Sequence, residues 1–100
     1  MVNQTFLDAV QDTKLVELTF DSKEKGVITC TCAPMDYGHM RNSNSPELKY
    51  HFYNLKSNHP MPISAQQIIK MRVLEEKFEP KNIISWQPDW HIVRDWGIYS

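Results

Sequence analysis

The chain has 100 residues, a formal net charge of −1 and 41% hydrophobic residues. This length fits one domain, and the apolar content excludes a disordered chain. The near-neutral charge excludes a strong overall field that would attract nucleic acid or an anionic membrane. No apolar run reaches the length of about 18 residues that a membrane span needs, and the N-terminal residues lack a signal-peptide pattern. We therefore expect a cytoplasmic protein with no membrane partner.

The first two predicted elements are a helix and a strand. Residues 3–12 place their apolar side chains on one helical face, and Thr5 with Asp8 resembles a capping pair. Residues 14–20 change to a two-residue alternation, which indicates a strand with one buried face.

A hairpin and a long loop follow. Residues 21–26 are polar and end in glycine, and residues 27–34 are rich in β-forming residues, so the two strands form a hairpin. Pro34 is expected to end the second strand or confine it to an edge. Residues 35–46 are then the longest loop in the first half of the chain.

Residues 49–55 carry the strongest strand signal of the chain and are aromatic on both sides. Alternation directs Tyr50 and Phe52 to one face and His51 and Tyr53 to the other. Because both faces need cover, we expect this strand inside a sheet or in the wall of a small barrel, and not at an edge.

The region after a turn at residues 56–60 and a short strand supports two interpretations. Ser64 with Gln67 forms a capping box, and the composition that follows favours a helix. The alternation of apolar and charged residues over 68–75 favours a strand instead. We predict one capped turn at residues 64–67 and a strand over residues 68–75.

This order of elements resembles the WYL domain over about residues 5–80. Tyr50-His51-Phe52 stands where that family has its Trp-Tyr-Leu run, and Pro34 resembles the proline that closes the family's second strand. The resemblance implies a mainly β (α+β) fold, a small SH3-like or Sm-like barrel of about five strands with an N-terminal helix. It further implies a non-catalytic ligand-sensing or regulatory module. The family carries arginines for anionic or nucleotide ligands on its second strand and before its closing strand. These arginines are absent here, where Cys30 and residues 64–67 stand in the two regions.

The central strand and the loop before it supply the candidate ligand site. The loop combines acidic, basic, aromatic and glycine residues, a mixture typical of a binding loop on a rigid scaffold. A plain solvated connection explains the loop equally well. The expected ligand is a small or nucleotide-like molecule, and its candidate contacts are Tyr37, His39, Arg41, Tyr50, His51 and Phe52.

No pattern in the chain predicts catalysis. His51 has no carboxylate or nucleophile at a readable spacing, so a structural histidine explains it better than an acid–base catalyst does. We therefore predict that the protein is not an enzyme. Nucleic-acid binding has weak support. Arg41, Lys49, Lys70 and Arg72 could form a basic patch beside tyrosines on which bases could stack, but the acidic balance of the chain opposes this function.

The two cysteines, Cys30 and Cys32, lie two residues apart on a predicted strand. A disulfide between them would be strained, so reduced thiols fit best. A zinc site that adds His39 or His51 is the alternative, but the chain lacks a second Cys/His pair at fixed spacing. We predict neither a metal nor a cofactor.

A C-terminal extension, residues 81–100, holds all three tryptophans, Trp86, Trp90 and Trp96. One interpretation is that the extension folds over the open side of the barrel as part of the same domain. The other is that the tryptophans form an anchor surface for a protein partner, because tryptophan is enriched in interface hot spots. A protein-interaction module is therefore the alternative function.

Overall fold

The computed structural model describes residues 3–39, 46–86 and 88–100. Its elements are α1 (Gln4–Asp12), β1 (Lys14–Asp21), β2 (Val27–His39), β3 (Leu48–Asn54), β4 (His59–Ile63), a 3₁₀ turn (Ala65–Gln67), β5 (Ile68–Lys77), α2 (Pro80–Ile83) and a second 3₁₀ turn (Gly97–Tyr99). The strands form one antiparallel sheet of five strands. The predicted mainly β (α+β) fold with an N-terminal helix is confirmed. The SH3-like barrel remains a prediction.

Helix α1 is capped by Asn3 and not by the predicted pair of Thr5 and Asp8. The Asn3 side chain accepts a hydrogen bond from the Phe6 N–H at 3.2 Å. An asparagine directly before the first helical residue satisfies one of the free N–H groups of the first turn. The C-cap is Thr13, which adopts a left-handed conformation with φ 52°.

The sheet has the strand order β4-β3-β2-β1-β5, so β3 lies between two neighbours. The prediction that the aromatic strand is not an edge strand is therefore confirmed. Its inner face is buried, with Tyr50 5% and Phe52 0% exposed, whereas His51 and Tyr53 on the outer face are half-buried. Cover is therefore complete at Tyr50 and Phe52, ends at Leu48, which is 45% exposed, and is partial on the other face.

The two edge strands of the sheet, β4 and β5, follow each other in the chain. A flat sheet of this order would separate its edges by about 19 Å, four spacings of about 4.8 Å. The connecting turn at Ala65–Gln67 is one 3₁₀ turn, so the connection spans only about 10 Å. The sheet must therefore curl to bring its edges together at this corner. Phe6 of α1 fills the concave side, with its ring 5.4 Å from the Phe52 ring.

Of the two alternatives for Pro34, the end of the second strand is wrong, whereas an edge position agrees with the pairing, because at Pro34 the strand is paired with β3 alone. Strand β2 continues through Pro34 to His39, so part of the predicted 35–46 loop is strand. The strand changes partners here, because the ladder to β1 ends at Cys32 and the ladder to β3 runs from Cys32 onward. Pro34 therefore lies beyond the end of the β1 ladder, where its missing N–H breaks no pairing on that side. A register shift between Pro34 and Asp36 accommodates it.

The predicted turn and strand after β4 are confirmed. Ser64 and Gln67 form the reciprocal capping box, in which the Ser64 N–H donates to Gln67 Oε1 at 3.0 Å. The box holds only one 3₁₀ turn, and β5 begins at Ile68 and pairs with β1. The two-residue alternation outweighs helix propensity because Met71 and Val73 pair with Leu18 and Val16 and pack on the core, although Ile69 is 59% exposed.

Candidate functional site

The structure distributes the six candidate ligand-binding residues over the core, the outer face and the surface. Tyr50 and Phe52 belong to the core, where their rings make edge-on contacts with Phe6. The Tyr50 hydroxyl accepts a hydrogen bond from the Asn3 N–H at 2.9 Å. Packing in the core therefore explains why this strand is rich in aromatic residues. Of the two residues, Tyr50 alone also lines a cleft.

The other candidate residues do not converge on one site. Tyr37 is half-buried, and its ring lies 4.6 Å from the Tyr50 ring. His51 lies on the opposite face, with Nε2 3.0 Å from the Gly38 carbonyl oxygen, so that nitrogen carries a proton and donates. His39 is exposed at the end of β2, and Arg41 lies outside the described residues.

The buried polar centre of the molecule is Asp36 on β2, which is 6% exposed. Its carboxylate accepts hydrogen bonds from the His91 N–H at 2.9 Å and the Ile92 N–H at 2.9 Å. It also accepts one from Arg94 Nη2 at 3.2 Å. One strand carboxylate thereby binds the backbone and a side chain of the C-terminal extension, and charge-assisted bonds of this kind are the stronger ones.

The guanidinium of Arg94 lies in the angle between two tryptophan rings that meet edge-on, with centroids 5.5 Å apart. Its Cζ lies 4.0 Å from the Trp90 ring centroid and 4.4 Å from that of Trp96, so it makes a cation–π contact with each ring. Burial lowers the pKa of Arg94 to about 10, and the Asp36 carboxylate opposes that shift, so the group stays charged at neutral pH. Arg94 Nη1 is buried without a hydrogen-bond partner among the described residues.

The three tryptophans have three different environments. Trp96 is 7% exposed, donates from Nε1 to the Val10 carbonyl oxygen at 2.9 Å, and has its ring 5.5 Å from the Phe78 ring. Trp90 is half-buried and donates to the Tyr99 carbonyl oxygen at 2.8 Å. Trp86 is 48% exposed. Of the proposed anchor residues, Trp86 therefore offers the most surface to a partner, and Trp96 packs against its own domain.

Gly38 is the contact point between β2 and the C-terminal extension. A Cβ atom at this position would lie 2.3 Å from His91 Cδ2 and 2.7 Å from His91 Cγ, which no side chain tolerates without movement. The β2 backbone and the His91 ring therefore touch directly, beside the bond from His51 to the Gly38 carbonyl oxygen.

Gly38→Ala is expected to destabilise the protein by about 1–3 kcal/mol, the usual cost of overpacking. Urea unfolding of the variant measures this cost. In a His91→Ala background the ring is gone, while the backbone N–H that donates to Asp36 remains. Gly38→Ala should then be neutral or stabilising, because glycine inside a strand is less favourable than alanine. An equal loss in both backgrounds would show that the His91 ring is not the obstacle.

Two residues of the expected basic patch are ion-paired, and a third, Arg41, lies outside the described residues. Lys49 pairs with Glu47 at 3.7 Å, and Arg72 pairs with Glu17 at 3.3 Å. These pairs are solvent-exposed and neutralise part of the positive charge. Among the described residues, no group of three or more His, Cys, Asp or Glu side chains is arranged to hold a metal ion.

Two clefts lined by described residues are large enough to admit a small molecule. The first has a volume of about 350 Å³ and lies between the start of α1, β3 and β5; its walls are Asn3, Thr5, Tyr50, Ala65, Ile68, Ile69, Lys70 and Met71. The second has about 440 Å³ and lies beside β2, where β3 ends; its walls are Glu17, Thr29, Cys30, Thr31, Asn54, Leu55 and Lys56. We call them the α1–β5 cleft and the β2 cleft.

No protein-family model matches the chain, and searches of the curated proteins and of the solved structures gave no match. In the described part of the chain, no helix has the length and apolarity needed to span a membrane.

Proposed function

We propose that the protein is a non-catalytic ligand-sensing module of the kind that the resemblance to the WYL domain implies, and that its ligand binds in the α1–β5 cleft. The cleft carries the proposal because its volume of about 350 Å³ falls in the range of small-molecule sites. The curl of the sheet and the order of its strands support the small-barrel scaffold. A cytoplasmic location remains part of this proposal.

The walls of the α1–β5 cleft favour a small organic molecule with an anionic group. Ile68, Ile69 and Met71 provide an apolar wall, and Tyr50 stands at the opposite side. Lys70 adds a cationic group at the rim. Apolar walls with a few convergent polar groups are typical of ligand pockets, where the polar groups fix the orientation of the ligand.

The test uses 8-anilinonaphthalene-1-sulfonate, a fluorescent probe with an apolar body and one negative charge, on the folded protein. Ala65→Trp fills the cleft from its wall and should abolish probe binding. Gln66→Trp adds the same side chain at an exposed neighbour that does not line the cleft, and should bind like the wild type. Lys70→Ala should weaken binding by about five-fold, the effect of about 1 kcal/mol from one exposed charge. Equal binding by both tryptophan variants would refute the site.

Once the probe site is mapped, competition identifies the ligand class. Nucleoside monophosphates and small carboxylic acids are added to the probe complex, and displacement is read as loss of fluorescence. The proposal predicts displacement by anionic molecules and none by their neutral analogues.

The alternative, a protein-interaction module, is favoured by apolar residues of the C-terminal extension. Val93 is 89% exposed and Ile98 is 88% exposed, and Trp86 adds a partly exposed ring. If these residues form the functional surface, Val93→Ser with Ile98→Ser should abolish association measured by light scattering and leave probe binding in the α1–β5 cleft unchanged. If the wild-type protein is monomeric at all concentrations, self-association is excluded as the form that this function takes.

A further inference from the structure

Two thiols lie side by side on the inner face of β2, and they differ in accessibility. Cys30 is paired with Leu18 and Cys32 with Val16 of β1, so both side chains point to the same face. Cys30 is half-buried and Cys32 is 0% exposed, and both are free thiols. The pair therefore combines one sulfur that small reagents can reach with one that is enclosed.

The β2 cleft gives small molecules access to Cys30. The ladder between β2 and β3 begins at the Cys32–Asn54 pair, so among the described residues the part of β2 before Cys32 pairs with no strand on that side. The cleft of about 440 Å³ occupies this gap, and Cys30 and Lys56 are among its walls. A small uncharged oxidant fits this space easily.

The contact between the thiols makes Cys30 the more reactive one. A hydrogen bond from the Cys32 thiol lowers the pKa of Cys30 to about 7, against the effect of burial. The same contact, together with burial, raises the pKa of Cys32 and keeps it protonated. Because the thiolate is the nucleophile, a large fraction of Cys30 is reactive at neutral pH while Cys32 is not.

We propose that Cys30 is a site of reversible oxidation by small peroxides and that Cys32 is its resolving thiol. In the first step the Cys30 thiolate attacks hydrogen peroxide; an S–O bond forms, the O–O bond breaks, and the leaving hydroxide takes a proton to become water. Sulfur loses two electrons, which reduce the peroxide, and Cys30 becomes a sulfenic acid. Oxidation removes the Cys30 thiolate that contributed to the raised pKa of Cys32. In the second step the Cys32 sulfur attacks the Cys30 sulfur, so the S–S bond forms and the S–O bond breaks, and the Cys32 proton passes to the leaving hydroxyl, which departs as water.

The disulfide formed in this way is labile. Two residues that share a face of one strand have Cα atoms, and likewise Cβ atoms, about 6.6 Å apart, whereas a disulfide needs Cβ atoms about 3.5–4.5 Å apart, so β2 has to bend locally for the bond to form. Strained disulfides are readily reduced and are typical of regulatory bonds. Cys32 pairs with Val16 of β1 and with Asn54 of β3, so the strain of the disulfide acts at the residue of β2 where the β1 ladder ends and the β3 ladder begins.

The pH dependence of alkylation tests the reactive state of Cys30. The rate of labelling by iodoacetamide should follow the thiolate fraction, with a midpoint near pH 7 in the wild type. Cys32→Ser keeps a hydroxyl donor and should keep a lowered midpoint. Cys32→Ala removes the donor and should move the midpoint to the ordinary thiol value of 9.0 or above. A wild-type midpoint at the ordinary value would overturn the proposal.

Mass spectrometry after stoichiometric hydrogen peroxide tests the chemistry on the wild-type protein, without reliance on a variant. The peptide with both cysteines should lose the mass of two hydrogen atoms, and dithiothreitol should restore it. In Cys32→Ser the sulfenic acid cannot be resolved and should be trapped by dimedone at Cys30. Oxidation confined to methionine, or direct conversion of Cys30 to the sulfonic acid in the wild type, would contradict the proposal.

Discussion

Replacing Asp36 with alanine is expected to lower the free energy of unfolding by about 3–5 kcal/mol, because removing one partner leaves a buried charge uncompensated. The side chain of Arg94 is 0% exposed, and Asp36 is its ion-pair partner at 3.2 Å. The substitution also leaves the His91 and Ile92 N–H groups without their acceptor. The C-terminal extension should therefore detach, and the emission of Trp96 should shift to the wavelength of a solvated indole. Urea unfolding and tryptophan fluorescence measure both effects.

The matched control is Asp95→Ala, which removes an exposed carboxylate from the same extension and should change stability by less than about 0.5 kcal/mol. Arg94→Met replaces the cation with an apolar chain that still packs against both tryptophan rings. In the Arg94→Met background, Asp36→Ala should cost clearly less than in the wild type, since no buried charge is left unpaired. Additive losses would show that the two residues act independently.

Phe52→Ala is expected to cost about 3–5 kcal/mol, the usual loss for a buried phenylalanine. Phe52 is 0% exposed, and its ring meets Phe6 of α1 edge-on, with an angle of 86° between the ring planes. The cavity would lie between the helix and the concave side of the sheet, so α1 keeps its contact with Tyr50 and loses the one with Phe52. This loss is a large part of the stability of a domain of this size, so chemical unfolding should show a lower midpoint.

Ile98→Ala serves as the control for Phe52→Ala, since Ile98 is 88% exposed and should contribute less than about 0.5 kcal/mol. Equal stability of Phe52→Ala and the wild type would mean that the aromatic strand does not anchor the core.

The regular elements could be predicted because their signals are local. The two-residue alternation of β1 and β5 and the capping box at Ser64 and Gln67 need only neighbouring residues, and the structure has both. The alternation also identified Tyr50 and Phe52 as sharing a face. It did not tell whether that face was a ligand site or the core, because aromatic residues serve both uses.

The course of β2 beyond Pro34 could not be predicted, because it depends on which strand lies on each side. A proline ends a strand only where its missing N–H breaks a ladder, and the β1 ladder had already ended at Cys32. The sequence around residue 34 carries no sign of that change of partner.

The centre formed by Asp36 and Arg94 was missed for a similar reason. The two residues are 58 positions apart, and Asp36 falls in the predicted loop of residues 35–46, for which a binding loop and a solvated connection were both open. One signal was present in the chain: Arg94 stands between Trp90 and Trp96, and a cation flanked by two tryptophans indicates a buried cation–π cluster that requires a carboxylate. Which carboxylate it is follows only from the tertiary structure.

Hydrogen exchange at the His91 and Ile92 amides tests most directly the central claim, that Asp36 binds the C-terminal extension to the sheet. Both N–H groups donate to the Asp36 carboxylate, so they should exchange as slowly as amides in the middle of β2. In Asp36→Ala they should exchange fast while the β2 amides keep much of their protection. Fast exchange of both amides in the wild-type protein would contradict the account.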